Sequence, residues 1–105
     1  MDQSAQKVLV IDDEPDILEL LNLTLTRMGL EVTTVENLAE ARRELRNNSF
    51  GFCLTDMRLP DGNGLDLVKE ISENYPDLPT AMITAHGKVE DAVYALKLGA
   101  FDFVS

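Results

Sequence analysis

Val8-Leu9-Val10-Ile11-Asp12-Asp13-Glu14-Pro15 holds four consecutive apolar residues, then three consecutive carboxylates, then a proline. A short, continuously apolar run suits a strand buried on both faces, at the centre of a parallel sheet. Proline favours the first turn of a helix, so Pro15 marks a helix start and Asp13 or Glu14 a cap ahead of it. The stretch therefore reads as a strand, an acidic turn and a helix.

The same alternation continues outward from this unit. Further strand candidates are Val32–Val35, Phe52–Thr55, Ala81–Thr84 and Phe101–Val104, short and apolar like Val8–Ile11. Between them run helical stripes: Ile17, Leu18, Leu21, Leu25 and Met28, ended by Gly29; Leu38, Ala41 and Leu45, ended near Asn47-Asn48. Leu65, Val68, Ile71 and Tyr75 form a third stripe, ended by Pro76, and Val89, Ala92, Val93 and Leu96 a fourth, ended by Gly99. Strands alternating with helices imply βαβ units, and right-handed crossovers place helices on both faces of a mostly parallel sheet.

A length of 105 residues allows one domain and one core. The composition, 45% hydrophobic and 27% charged, is that of a globular chain rather than a disordered one. A net charge of -10 repels phosphate backbones and argues against direct nucleic-acid binding. Cys53 is the single cysteine, so no internal disulfide forms, and its place between Phe52 and Leu54 reads as a buried hydrophobe. Nothing resembles a signal peptide or a membrane span, which points to a cytoplasmic protein.

In an open α/β sheet, ligands bind beyond the carboxyl ends of the strands. Asp12, Asp13 and Glu14 follow the first strand, Asp56 the third, and Thr84 ends the fourth. If the first and third strands are neighbours, about 5 Å apart, Asp12, Asp13 and Asp56 converge. Carboxylates that close raise one another's pKa values, and Mg²⁺, a hard cation that takes carboxylate oxygens, relieves the repulsion. The same ion can align a phosphoryl group for attack by a carboxylate, and a Thr84 hydroxyl could bond its oxygens. Each signal has an ordinary alternative: a helix cap for Asp13 or Glu14, a turn residue for Asp56, a strand end for Thr84. Leu59-Pro60-Asp61-Gly62 reads as a turn without chemistry.

Val8–Pro15 (VLVIDDEP), Leu54–Gly64 (LTDMRLPDGNG), Met82–Gly87 (MITAHG) and Ala95–Ser105 (ALKLGAFDFVS) together resemble the receiver domains of two-component response regulators. The resemblance implies a doubly wound, five-stranded parallel sheet of order 2-1-3-4-5, with residues 1–105 as one phosphoacceptor domain. It implies Asp56 as the phosphoacceptor, served by a sensor histidine kinase. Asp13, Asp56 and the Arg58 backbone carbonyl would hold Mg²⁺, with Asp12 assisting through water. Thr84 becomes the switch hydroxyl, Phe103 the switch aromatic, and Arg58 and His86 positions that tune phosphoryl lifetime. Met82–Ser105 is most similar to receivers of AAA-type enhancer-binding transcription activators. The run Leu54–Val68 is similar to regulators of type IV pilus genes. An output domain elsewhere in the full-length chain, and a homodimer, belong to the same expectation.

The family carries a lysine after its fifth strand and then a final helix, and the sequence stops at Ser105 before either. A domain truncated there is expected to leave an apolar face of strands three to five uncovered, open to association with another copy. Two other readings remain. A phosphatase forming an aspartyl-phosphate would place its nucleophile after the first strand and need a cap insertion, for which no segment is long enough. A pseudo-receiver that only binds partners would fit the missing lysine, but not the retention of Asp12, Asp13, Asp56 and Thr84.

Overall fold

The computed structural model describes residues 6–83. The first strand, β1 (Lys7–Ile11), is buried from Val8 to Ile11, as expected of a strand covered on both faces. It lies between β2 (Glu31–Val35) and β3 (Phe52–Asp56), parallel to both. The fourth long strand, β6 (Thr80–Ile83), starts one residue before the expected Ala81 and pairs with β3, again in parallel. The sheet order β2-β1-β3-β6 matches the expected 2-1-3-4 for the strands described. The expected fifth strand and the Val89–Leu96 helix lie outside the described residues.

Alternation along the strands divides the core. Val8 and Val10 face α1 (Pro15–Arg27), packing with Leu18, Leu21 and Leu25 and with Phe52 and Leu54 of β3. Leu9 and Ile11 face the other way, packing with Leu38, Ala41 and Leu45 of α2 (Leu38–Asn47) and Leu67 and Ile71 of α3 (Gly64–Asn74). Among the described residues, one helix thus covers one face and two cover the other, the doubly wound arrangement.

Local chemistry sets the helix ends. Pro15 opens α1, and the helix closes at Gly29, whose φ of 85° is open to glycine at no steric cost. At α2, Asn37 Oδ1 caps the helix by accepting from Glu40 N at 2.8 Å, while Glu40 Oε1 reaches back to accept from Glu36 N at 3.0 Å, one residue before the cap. Asn63 Oδ1 caps α3 by accepting from Leu65 N at 2.7 Å.

One expectation needs correction. Of the expected α3 stripe, Ile71 is buried and Val68 and Tyr75 are half-buried, but Leu65 is 48% exposed and Leu67 is fully buried in its stead. Gly64 lies flat against the Asp56 backbone, and that close approach turns the helix so that Gly64, Leu67 and Ile71 face inward. On the apolar face expected to stand uncovered, Phe52, Leu54 and Ala81 are no more than 2% exposed, and its strand-five part lies outside the described residues. They belong to the cluster that α1 packs upon.

The segment after β3 holds more structure than a turn. Arg58–Leu59 (β4) and Gly62–Asn63 (β5) pair antiparallel as a two-residue hairpin whose tip is Pro60-Asp61. Leu59 is buried with the residues of α2 and α3, which holds this hairpin against the sheet's carboxyl edge.

Candidate metal centre

Pairing of Ile11 with Thr55 puts the carboxyl ends of β1 and β3 side by side, so Asp12 and Asp56 leave the sheet together. Asp13 follows in the loop. One carboxylate oxygen from each of Asp12, Asp13 and Asp56 lies within 4.8 Å of the others. Asp12 is buried, Asp56 half-buried and Asp13 exposed, so the cluster opens to solvent on one side.

Backbone groups aim two of these side chains. Asp12 N donates to Val35 O of β2 at 3.1 Å, and Asp12 Oδ1 accepts from Glu14 N at 2.9 Å. Asp56 Oδ1 accepts from Met57 N at 2.8 Å, which leaves Oδ2 free of that bond. Burial pushes the Asp12 carboxyl above the usual carboxylate range, the negative charges of Asp56, Asp13 and Glu14 add to the rise, and the Glu14 N–H opposes it. Among the described residues, the ion pairs are Lys7–Glu31 and Arg42–Glu70, and neither reaches the cluster. Three converging oxygen donors, with no ion pair to them among the described residues, suit a hard divalent cation that keeps part of its water shell.

The structure thus brings together Asp12, Asp13 and Asp56. It places Arg58 on β4, exposed, two residues beyond Asp56. Thr84, His86 and Phe103 lie outside the described residues. Cys53 is fully buried, and burial raises its thiol pKa far above the usual value, which leaves it an inert core residue.

Three residues around the site had no signal in the sequence. Fully buried Thr55 donates its hydroxyl to the Asp56 carbonyl at 2.9 Å. Gly64 admits the same carbonyl where any side chain would overlap it. Asp61, in the turn read as chemically silent, accepts from Leu38 N at 2.8 Å and Ala39 N at 3.0 Å, across more than twenty residues of chain. A turn aspartate resembles any other until folding sets a helix N-terminus before it. A separate groove of about 510 Å³, lined by Leu45, Phe50, Tyr75 and Leu78 among others, opens at the opposite end of the sheet.

Comparison with known proteins agrees with this geometry. Response regulator protein PilR of Pseudomonas aeruginosa is 56% identical over 102 residues, a stretch covering 97% of this chain and 23% of that relative. The response regulator TrrA of Thermotoga maritima, solved in complex with Mg²⁺-BeF, superposes with a TM-score of 0.78 at 29% identity, covering 94% of this chain and 84% of TrrA. The beryllofluoride-activated NtrC4 receiver domain dimer gives a TM-score of 0.74 at 38% identity, covering 92% of this chain and 80% of that one. Residues 8–105 match the family described as the response regulator receiver domain. With four parallel strands in receiver order and three carboxylates at their carboxyl edge, the chain belongs to the response regulator receiver domain family.

Proposed function

We propose that this chain is a phosphorylation-activated switch in which Asp56 accepts a phosphoryl group from the phosphohistidine of a sensor kinase, with Mg²⁺. The observation that carries the reading is the meeting of Asp12, Asp13 and Asp56 within 4.8 Å at the ends of adjacent strands. Asp13, Asp56 and the Arg58 carbonyl would hold the ion, with Asp12 assisting. When bound, Mg²⁺ offsets the mutual repulsion of the carboxylates and neutralises charge on the incoming phosphoryl group.

Asp56 Oδ1 is engaged by Met57 N, so attack falls to Oδ2. The Oδ2–P bond forms, the P–N bond to the kinase histidine breaks, and the departing imidazole nitrogen takes a proton. Thr84 then offers its hydroxyl to the phosphoryl oxygens, Phe103 reorients with it, and Arg58 and His86 tune hydrolysis. The domain catalyses only its own phosphorylation and dephosphorylation, in the cytoplasm, and controls an output domain in the full-length protein. Similarity to the transcriptional regulators GlrR and NtrC of Escherichia coli supports an output in transcription, and similarity to the NtrC4 receiver supports a homodimer.

Acetyl phosphate with Mg²⁺, applied to a chain extended through the family's lysine, tests the assignment by mass mapping. Modification at Asp56 alone, lost in Asp56→Asn, is expected. Labelling of another carboxylate in that mutant would overturn the acceptor.

A further inference from the structure

Between Asp56 and Gly64 the chain makes a closed loop, fastened at its base by Gly64 N donating to Met57 O at 2.7 Å. Its tip is fastened separately, at the N-terminus of α2. Asp61 presents both carboxylate oxygens there, Oδ1 to Leu38 N at 2.8 Å and Oδ2 to Ala39 N at 3.0 Å. Asn37 already satisfies Glu40 N, so Asp61 completes the first turn from outside the helix. Gly62, with φ of 155°, lies so close to α2 that a Cβ would stand 2.6 Å from Leu38 Cδ1. These bonds to the helix N–H groups hold the Asp61 carboxyl below its usual range.

The same corner of the fold is tied to the acidic cluster from the other side. Val35, two residues before the cap of α2, takes the hydrogen bond of Asp12 N at 3.1 Å. The β2–α2 corner thus links the strand end that carries Asp12 to the tip of the loop that carries Arg58. Arg58 pairs with Asn63 in the hairpin, so a shift of the tip is carried to Arg58.

We propose that Asp61 is a positioning residue for the metal centre: by clasping the N-terminus of α2 it holds the 57–63 loop so that the Arg58 carbonyl points at the ion. The proposal rests on the Mg²⁺ site described above. It assigns to Asp61 a part that capping alone does not include.

Mg²⁺ titration followed by backbone amide NMR separates the two roles, with Asn37→Ala as the control that weakens the α2 cap without touching the loop. Groups that orient metal ligands lower affinity by roughly 10–100-fold when removed. Asp61→Ala should therefore bind Mg²⁺ about tenfold more weakly, with shifts along Met57–Asn63, while Asn37→Ala keeps wild-type affinity. Asp61→Asn, which keeps an acceptor for one N–H, should recover part of the loss. Wild-type affinity in Asp61→Ala, or equal losses in Asp61→Ala and Asn37→Ala, would overturn the proposal while leaving the Mg²⁺ site intact. Wild-type protein that shows no Mg²⁺ response at Asp13, Asp56 and Arg58 would instead overturn the site itself, and the proposal with it.

Discussion

Replacing Gly64 by alanine should both destabilise the domain and disturb the acceptor. Gly64 is the first residue of α3 and does not have a positive φ, so alanine meets no backbone objection there. In isolation the change would favour the helix by at most about 1 kcal/mol. The Cβ, however, would overlap the Asp56 carbonyl oxygen and stand 3.1 Å from both the Asp56 carbonyl carbon and Thr55 Oγ1. Those atoms belong to β3, paired on one side with β1 and on the other with β6, and cannot swing away as an exposed side chain could. Forcing a methyl into such a site costs about 1–3 kcal/mol. Displacing Thr55 Oγ1 from its bond to the Asp56 carbonyl costs about 1 kcal/mol more. The net expectation is a loss of about 2 kcal/mol, together with slower phosphorylation, because the atom that must yield belongs to Asp56 itself. Urea unfolding followed by circular dichroism measures the first effect, and acetyl phosphate labelling the second. Gly51→Ala is the matched control, since the nearest atoms a Cβ there would meet belong to the exposed Gln6 side chain, which can turn into solvent. Wild-type stability in Gly64→Ala, or an equal loss in both mutants, would refute the reasoning.

The α3 rotation makes a second prediction: Leu67→Ala, at a fully buried site, should cost about 2–5 kcal/mol. Leu65→Ala, at a residue 48% exposed, should stay near the ~0.5 kcal/mol usual for surface changes, and chemical melts of the two would expose a misplaced helix face. A third concerns acid. Asp61 titrates below the usual 3.8 because Leu38 and Ala39 donate to its charged form, so its stabilisation is fully present above that pH and fades as pH falls through the lower folded value. The gap in melting temperature between wild type and Asp61→Ala should therefore shrink between about pH 5 and about pH 2, and a gap independent of pH would show that the charge contributes nothing.

The α/β class, the parallel sheet with β1 at its centre and the acidic edge were all legible in the sequence, because each rests on local order. Four apolar residues ending in carboxylates and a proline can be read without knowing their neighbours, and so can the helix stop at Gly29. Convergence of Asp12, Asp13 and Asp56 needed one further assumption, that the first and third strands adjoin, and the pairing of Ile11 with Thr55 supplies it. What the sequence left open depends on groups far apart along the chain. Leu65 and Leu67 are equally apolar, and periodicity put Leu65 on the inner face; Gly64 against the Asp56 carbonyl turns Leu67 inward instead. Asp61 carried the composition of an ordinary turn, and its partners Leu38 and Ala39 lie more than twenty residues away. Side-chain periodicity and turn chemistry act over a few residues and are written in the sequence. Close approach of backbones and capping from a distant loop exist only once the chain has folded, so tertiary structure alone decides them.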